Sequence, residues 1–192
     1  VGILYNANRD KVLITKRTSK QFLSGYWEFP GGKVKSNEDS FSALSREFFE
    51  ELGVCLKSAK RLIKIHHDYP DKKLLLDVWE IYEWEGEPIG LENQEINWVD
   101  KNNLFKYKFP EANKRIIQTL YLPDIYGISE NSYKNYSNLF SAVRNYFNSG
   151  LKIFQLRHSF ERNSISRENI EELHEEARRN TAKLILNGVA SD

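Results

Sequence analysis

Residues 31–54 read GGKVKSNEDSFSALSREFFEELGV. A Gly-Gly pair opens the stretch and Gly53 stands near its end. Phe41, Leu44, Phe48 and Leu52 recur at the period of an amphipathic helix. The pattern predicts a helix that begins near Asp39, whose carboxylate can accept exposed N–H groups, and stops near Gly53. Glu47, Glu50 and Glu51 are spaced i, i+3 and i, i+4, so they share the side opposite the apolar stripe. Like charges placed this way repel unless a cation joins them. Arg46 lies four residues before Glu50 and can pair with it, but the cluster stays a net acid. On charge alone a solvated acidic face is the commoner explanation. The alternative is a set of hard oxygen ligands for Mg²⁺ or Mn²⁺, ions that usually also engage substrate phosphates. A Gly31-Gly32 turn lets backbone approach closely and offers a carbonyl as a further ligand.

Working outward, residues 3–16 (ILYNANRDKVLITK) alternate around an Asn/Asp turn and predict a hairpin. GYWEFPGG is a short aromatic strand, KLLLDVWEIYEWEG a long strand and EINWVD a shorter one. PEANKRIIQTLY is a helix opened by Pro110. These pieces predict a mixed sheet with helices on its faces. After Tyr121 the texture changes to strand, helix, strand, helix, strand, which predicts βαβ units and a parallel sheet.

The chain has 192 residues, of which 40% are hydrophobic and 29% charged. Its net charge of +1 gives no bulk electrostatic drive toward nucleic acid or membrane. No apolar run approaches the ~20 residues that span a bilayer. The lone Cys55 cannot form an internal disulfide, which suits a reducing cytoplasm, and is expected to be a small buried residue. Residue 1 reads as part of a trimmed strand, and the parallel sheet of the second half as a domain cut short.

The spacing from Gly32 through Glu38, Arg46-Glu47, Phe48, Glu50-Glu51 and Gly53-Val54 resembles the Nudix box at every defining position. The resemblance implies a Nudix α/β/α sandwich and hydrolysis of a nucleoside diphosphate linked to another moiety. It implies that Glu47, Glu50 and Glu51 bind divalent cations with help from the Gly31 carbonyl. Glu38 would support the helix or a metal-bound water, and Arg46 would orient the glutamates. Glu47 and Glu92 are both candidates for the general base.

VGILYN, ITKR, YWEFPGGK, WEGEPIG, NWV and FPEAN follow the order of the MutT subfamily. That likeness covers residues 1–121. It implies removal of pyrophosphate from oxidised purine nucleoside triphosphates, notably 8-oxo-dGTP, a nucleotide-pool sanitation that protects DNA replication and repair. Asn113 matches the residue that reads the purine edge. Phe29 and Tyr69 match positions around the base, and Asp71 a loop acid that closes over the nucleotide. Arg17 matches a basic residue near sugar and phosphate, and Lys33 a phosphate contact. The expected partner is a small nucleotide, with no nucleic acid polymer and no membrane, and the protein is expected to be a monomer.

Residues 122–192 resemble the start of a thiamine phosphate synthase-like (β/α) TIM-barrel, through GLKIFQLR and AKLILNG. Gln155, Arg157 and Asn187 match that pattern. Ser159 and Gly188 replace an expected Lys and Asp, which argues against synthase activity. The alternatives are a Nudix hydrolase for another nucleoside diphosphate derivative, or a nucleotide-binding module coupled to thiamine metabolism.

Overall fold

The expected helix is α1, Ser40–Leu52. Asp39 caps it: Oδ1 accepts the N–H groups of Phe41 at 2.8 Å and Ser42 at 3.0 Å. Gly53 closes it in the left-handed region, φ 69°. Ala43, Leu44, Phe48 and Leu52 are buried along one stripe. Phe41, expected in that stripe, is only half-buried and leans on Trp79 instead, ring centroids 5.6 Å apart. Each fully buried side chain of this size contributes about 1.5–3 kcal/mol.

The computed structural model describes residues 1–19, 22–70, 73–129, 133–157 and 165–187. The chain divides into two compact units, Val1–Tyr121 and Leu122–Asp192. In the first, α1 packs on two three-stranded sheets. One has the order β1-β5-β4, with β1 Gly2–Leu4, β4 Cys55–Asp68 and β5 Lys73–Glu85. The other has the order β3-β2-β6, with β2 Lys11–Lys16, β3 Trp27–Glu28 and β6 Ile96–Asp100. β1 runs parallel to β5, while β4–β5, β2–β3 and β2–β6 are antiparallel, so the arrangement is mixed as expected. The helix α2, Glu111–Leu120, follows Pro110.

Two cores flank these sheets. Leu4, Leu13, Leu44, Phe48, Leu52, Val54 and Ile81 pack under α1. Ile3, Val12, Ile14, Phe29, Val78, Leu104 and Ile116 are among those that pack on the other side, under α2. β1 passes so close to α1 that a Cβ on Gly2 would lie 2.6 Å from the Phe48 ring.

Two expectations need correction. The 3–16 hairpin exists only at its turn, where Asn6 Oδ1 accepts the N–H groups of Asp10 and Lys11. Beyond a single Tyr5–Val12 bridge its strands part, β1 to β5 and β2 to β3 and β6. Cys55 is exposed, not buried, because it starts an edge strand and points outward. That edge strand, β4, carries no clear apolar alternation: only Ile65 is buried, and lysines crowd its sequence. Charged edges of this kind discourage pairing with other chains.

In the second unit β7 (Gly127–Ile128), β8 (Ile153–Arg157) and β9 (Lys183–Asn187) form a parallel sheet in sequence order. The helices α3 (Tyr136–Asn148) and α4 (Arg167–Arg179) join them. Leu139, Val143 and Phe147 from α3 meet Phe154 and Leu156 from β8 and Leu173 from α4. Among the described residues, no helix is long and apolar enough to cross a membrane.

Candidate active site

Arg46 organises the acidic face of α1. Its Nε and Nη2 hold both oxygens of Glu38, at 3.1 and 2.7 Å. Its Nη1 donates to Glu47 Oε1 at 2.7 Å and to Glu50 Oε2 at 2.9 Å. Nη2 also reaches the Lys33 carbonyl at 3.2 Å. A planar guanidinium with five donors is suited to such a fork. These hydrogen bonds raise the Arg46 pKa, and the Arg46 bonds hold the Glu38 carboxyl far down, at about 2. Glu38 also accepts the Lys35 N–H at 2.9 Å, which ties the loop before the helix to the helix itself.

The glycine turn fits over this face. Gly31 has φ 134°, in the region that favours glycine. A Cβ on Gly32 would overlap the Glu47 carboxylate. Glu47 therefore lies under bare backbone and Glu51 takes a hydrogen bond from the Gly31 backbone, while Glu50 is half exposed.

Glu51 is perturbed in the opposite direction from Glu38. Burial, then the charge of Glu47, pushes its pKa up to about 7, with Glu92 and Glu28 adding to the effect; a hydrogen bond from the Gly31 backbone works against it. Glu28 comes from β3 and its pKa is also raised, by burial, against the opposing charge of Arg17. Arg17 Nη1 is paired with Glu28 and its Nε donates to the Phe22 carbonyl at 2.6 Å. Glu28, Glu51 and Glu92 line one small cleft together with Thr15, Lys16, Thr18 and Gln94. A larger open groove of about 420 Å³ is lined by Arg17, Ser19 and Glu92, among others.

The remaining expected residues differ in burial. Asn113, on α2, is buried at 8% exposure, and its side chain makes no hydrogen bond among the described residues. Phe29 is 2% exposed and stacks on Phe109 at 5.5 Å, so it is a core residue with almost no surface for a ligand. Tyr69 is half-buried, edge-on to His67 at 4.4 Å. Lys33 is exposed and engages Arg46 through its carbonyl. Asp71, Ser159 and Gly188 lie outside the described residues.

Glu28 and Gln94 escaped the sequence reading. The alternation Trp27-Glu28-Phe29 was the available signal, since it places Glu28 on the face opposite two core aromatics. No comparable signal exists for Gln94, which sits on a loop.

Among the described residues, no three acidic, histidine or cysteine side chains converge as a ready-made metal cage. The donor set nevertheless fits a divalent cation. Its ligands are hard oxygens, and burial with the charge of its acidic neighbours raises the Glu51 pKa. A cation would relieve that repulsion, and Arg46 engages only one oxygen of Glu47 and one of Glu50.

Comparison with known proteins agrees with this geometry. The 8-oxo-dGTP diphosphatase of Escherichia coli K12 is 35% identical over 120 residues, covering 62% of this chain and 92% of that protein. The Haemophilus influenzae 8-oxo-dGTP diphosphatase is 36% identical over 119 residues, covering 62% and 87%. A MutT structure from a study of Aliivibrio salmonicida and Vibrio cholerae is 34% identical, with a TM-score of 0.55, covering 62% of this chain and 91% of that one. A profile of the NUDIX domain matches residues 1–119, well over half the chain. The match takes in the glycine turn, the arginine-clamped acidic helix and the cleft beneath them, and on that footing the chain belongs to the NUDIX domain family.

Proposed function

We propose that the chain hydrolyses oxidised purine nucleoside triphosphates, above all 8-oxo-dGTP, to the monophosphate and pyrophosphate. It acts as a cytoplasmic monomer on free nucleotide, with Mg²⁺ as the cofactor and Mn²⁺ able to substitute. The observation that carries this reading is the cleft of Glu28, Glu51 and Glu92 beside the acidic helix, in a chain 35% identical to an 8-oxo-dGTP diphosphatase. Glu47, Glu50 and Glu51, with the Gly31 carbonyl, would hold the cation. A bound divalent cation supplies charge neutralisation at the phosphates and acidifies water.

Water adds across a phosphoanhydride of the triphosphate: its oxygen bonds to phosphorus, the bridging P–O bond breaks, and its proton must go to a base. Glu47 Oε1 is already engaged by Arg46, whereas the Glu92 carboxylate makes no hydrogen bond among the described residues. That difference favours Glu92 as the base. Arg46 and Glu38 orient the helix carboxylates. Arg17, which pairs with Glu28 and lines the groove, would meet sugar or phosphate.

Asn113 supports the base preference. An amide has both donor and acceptor, which suits a purine edge. Oxidation at C8 places N–H at N7, turning an acceptor into a donor. A buried acceptor left unpaired by the normal base costs about 1–3 kcal/mol. The test compares 8-oxo-dGTP with dGTP for wild type and Asn113→Ala. The preference is expected to fall at least about tenfold; an unchanged ratio removes Asn113 from recognition. A panel of other nucleoside diphosphate derivatives with Mg²⁺ decides the substrate class.

For residues 122–192 we infer a (β/α) segment of TIM-barrel type. The parallel order β7-β8-β9 supports it, and the register sets Arg157 beside Asn187 at the strand ends. Tyr126 donates to Gln155 on the same sheet.

A further inference from the structure

A helix ends with carbonyls that lack intrahelical partners. At the end of α1, Leu52 O accepts the Ile89 N–H at 3.1 Å and Glu51 O accepts the Leu91 N–H at 2.9 Å. These bonds dock the loop after β5 on the helix but stop one residue short of Glu92. Gln94 supplies the missing link. Its Nε2 donates to Glu51 O at 2.8 Å and its Oε1 accepts the Glu92 N–H at 2.8 Å. One planar amide thus ties the backbone of Glu51 to the backbone of Glu92.

The loop is built around that amide. Asn93 takes φ 61° and donates to Gly90 O at 3.2 Å, which turns the chain back on itself. A Cβ on Gly90 would overlap the Gln94 carbonyl and lie 3.2 Å from Oε1. Gln94 is half-buried and lines the same cleft as Glu28, Glu51 and Glu92. The amide combines the donor and the acceptor: a carboxylate at this position could serve Glu92 but not Glu51, and a leucine neither.

From this geometry we infer that Gln94 is a positioning residue, which fixes Glu92 against the end of α1 and so beside Glu51. The inference rests on the reading of Glu92 as the base, but its physical content is separately measurable. In metal-free protein, Gln94→Leu should speed amide hydrogen exchange at Glu92 at least tenfold and leave Phe48 in mid-helix unchanged. In Gln94→Glu the Glu92 amide should keep most of its protection. With Mg²⁺ and 8-oxo-dGTP, Gln94→Leu should lower kcat about 10–100-fold, the range for residues that orient a ligand or base, with KM little changed. In a Glu92→Gln background the same change should cost less than about twofold, because the two act as a unit. Gly90→Ala, which displaces Gln94 without altering it, should reproduce the loss.

Unchanged exchange at Glu92 in Gln94→Leu overturns the inference. So does a Gln94→Leu loss that persists in full beside Glu92→Gln. If Glu92→Gln alone leaves kcat intact, the choice of Glu92 as base fails, and the exchange experiment alone decides whether Gln94 holds it.

Discussion

Gly32 leaves the space that the Glu47 carboxylate occupies: a single methyl group at residue 32 would coincide with it. The glycine at this position is therefore a requirement of the acid next to it. The overlapping atoms are the far end of a flexible side chain, so relief comes from rotating Glu47 away. Gly32→Ala should cost less than about 1 kcal/mol in thermal unfolding. Its kcat should nevertheless fall at least about 100-fold, as a displacement near 1 Å can cause. Equal damage to stability and activity would contradict this.

Arg46 binds Glu38 through two nitrogens and reaches Glu47 and Glu50 with the third. Lysine keeps the charge but has no fork. Arg46→Lys should reduce kcat about 10–100-fold. The Glu38 pKa, held at about 2 chiefly by the Arg46 hydrogen bonds, should climb toward the ordinary carboxylate range in Arg46→Ala. The sign follows: a depressed carboxylate contributes stability above its unfolded pKa and loses it as pH falls toward 2, a window that Arg46→Ala should abolish. Carbon-detected NMR titration of Glu38 measures the shift directly.

Glu51 has the opposite sign. Burial and the charge of Glu47 raise its pKa to about 7 in the folded protein. Its contribution is complete below the unfolded value and is lost as pH rises through about 7. Metal-free protein should lose stability between about pH 4.5 and 7. Glu51→Gln should flatten that slope and stabilise metal-free protein at pH 8. The same variant should lose most of the rise in Tm that Mg²⁺ gives the wild type. Denaturation curves with and without Mg²⁺ check both statements.

The unit Val1–Tyr121 has its own two buried cores, under α1 and under α2. A fragment ending at Tyr121 should fold cooperatively and hydrolyse 8-oxo-dGTP with kcat within about threefold of the full chain. Circular dichroism and pyrophosphate release test it. A fragment that folds but is inactive would show that residues 122–192 contribute to catalysis.

The parts legible in the sequence were those fixed by local rules. Asp39, the Leu44/Phe48/Leu52 stripe and Gly53 mark α1 because capping and helical period act within a few residues. The alternating βαβ order of the second unit was equally local. What escaped is set by distant pairing. The turn at Asn6 forms as its residues dictate, but β5, more than 70 residues away in sequence, captures β1. β4 is hidden by its lysines, since an edge strand with one buried residue shows no alternation. Glu92 could be named from the sequence, but its place could not, because the docking of its loop depends on the carbonyls of Glu51 and Leu52 and on the Gln94 amide. Phe29 shows the reverse: a residue expected at the base lies 2% exposed against Phe109.

The Arg46 fork has a consequence for the order of assembly. Because the acidic helix carries its own counter-ion, the polypeptide should reach its native shape without the proposed cation. Chelation should then silence the enzyme reversibly, leaving a folded protein that recovers as soon as the ion is returned.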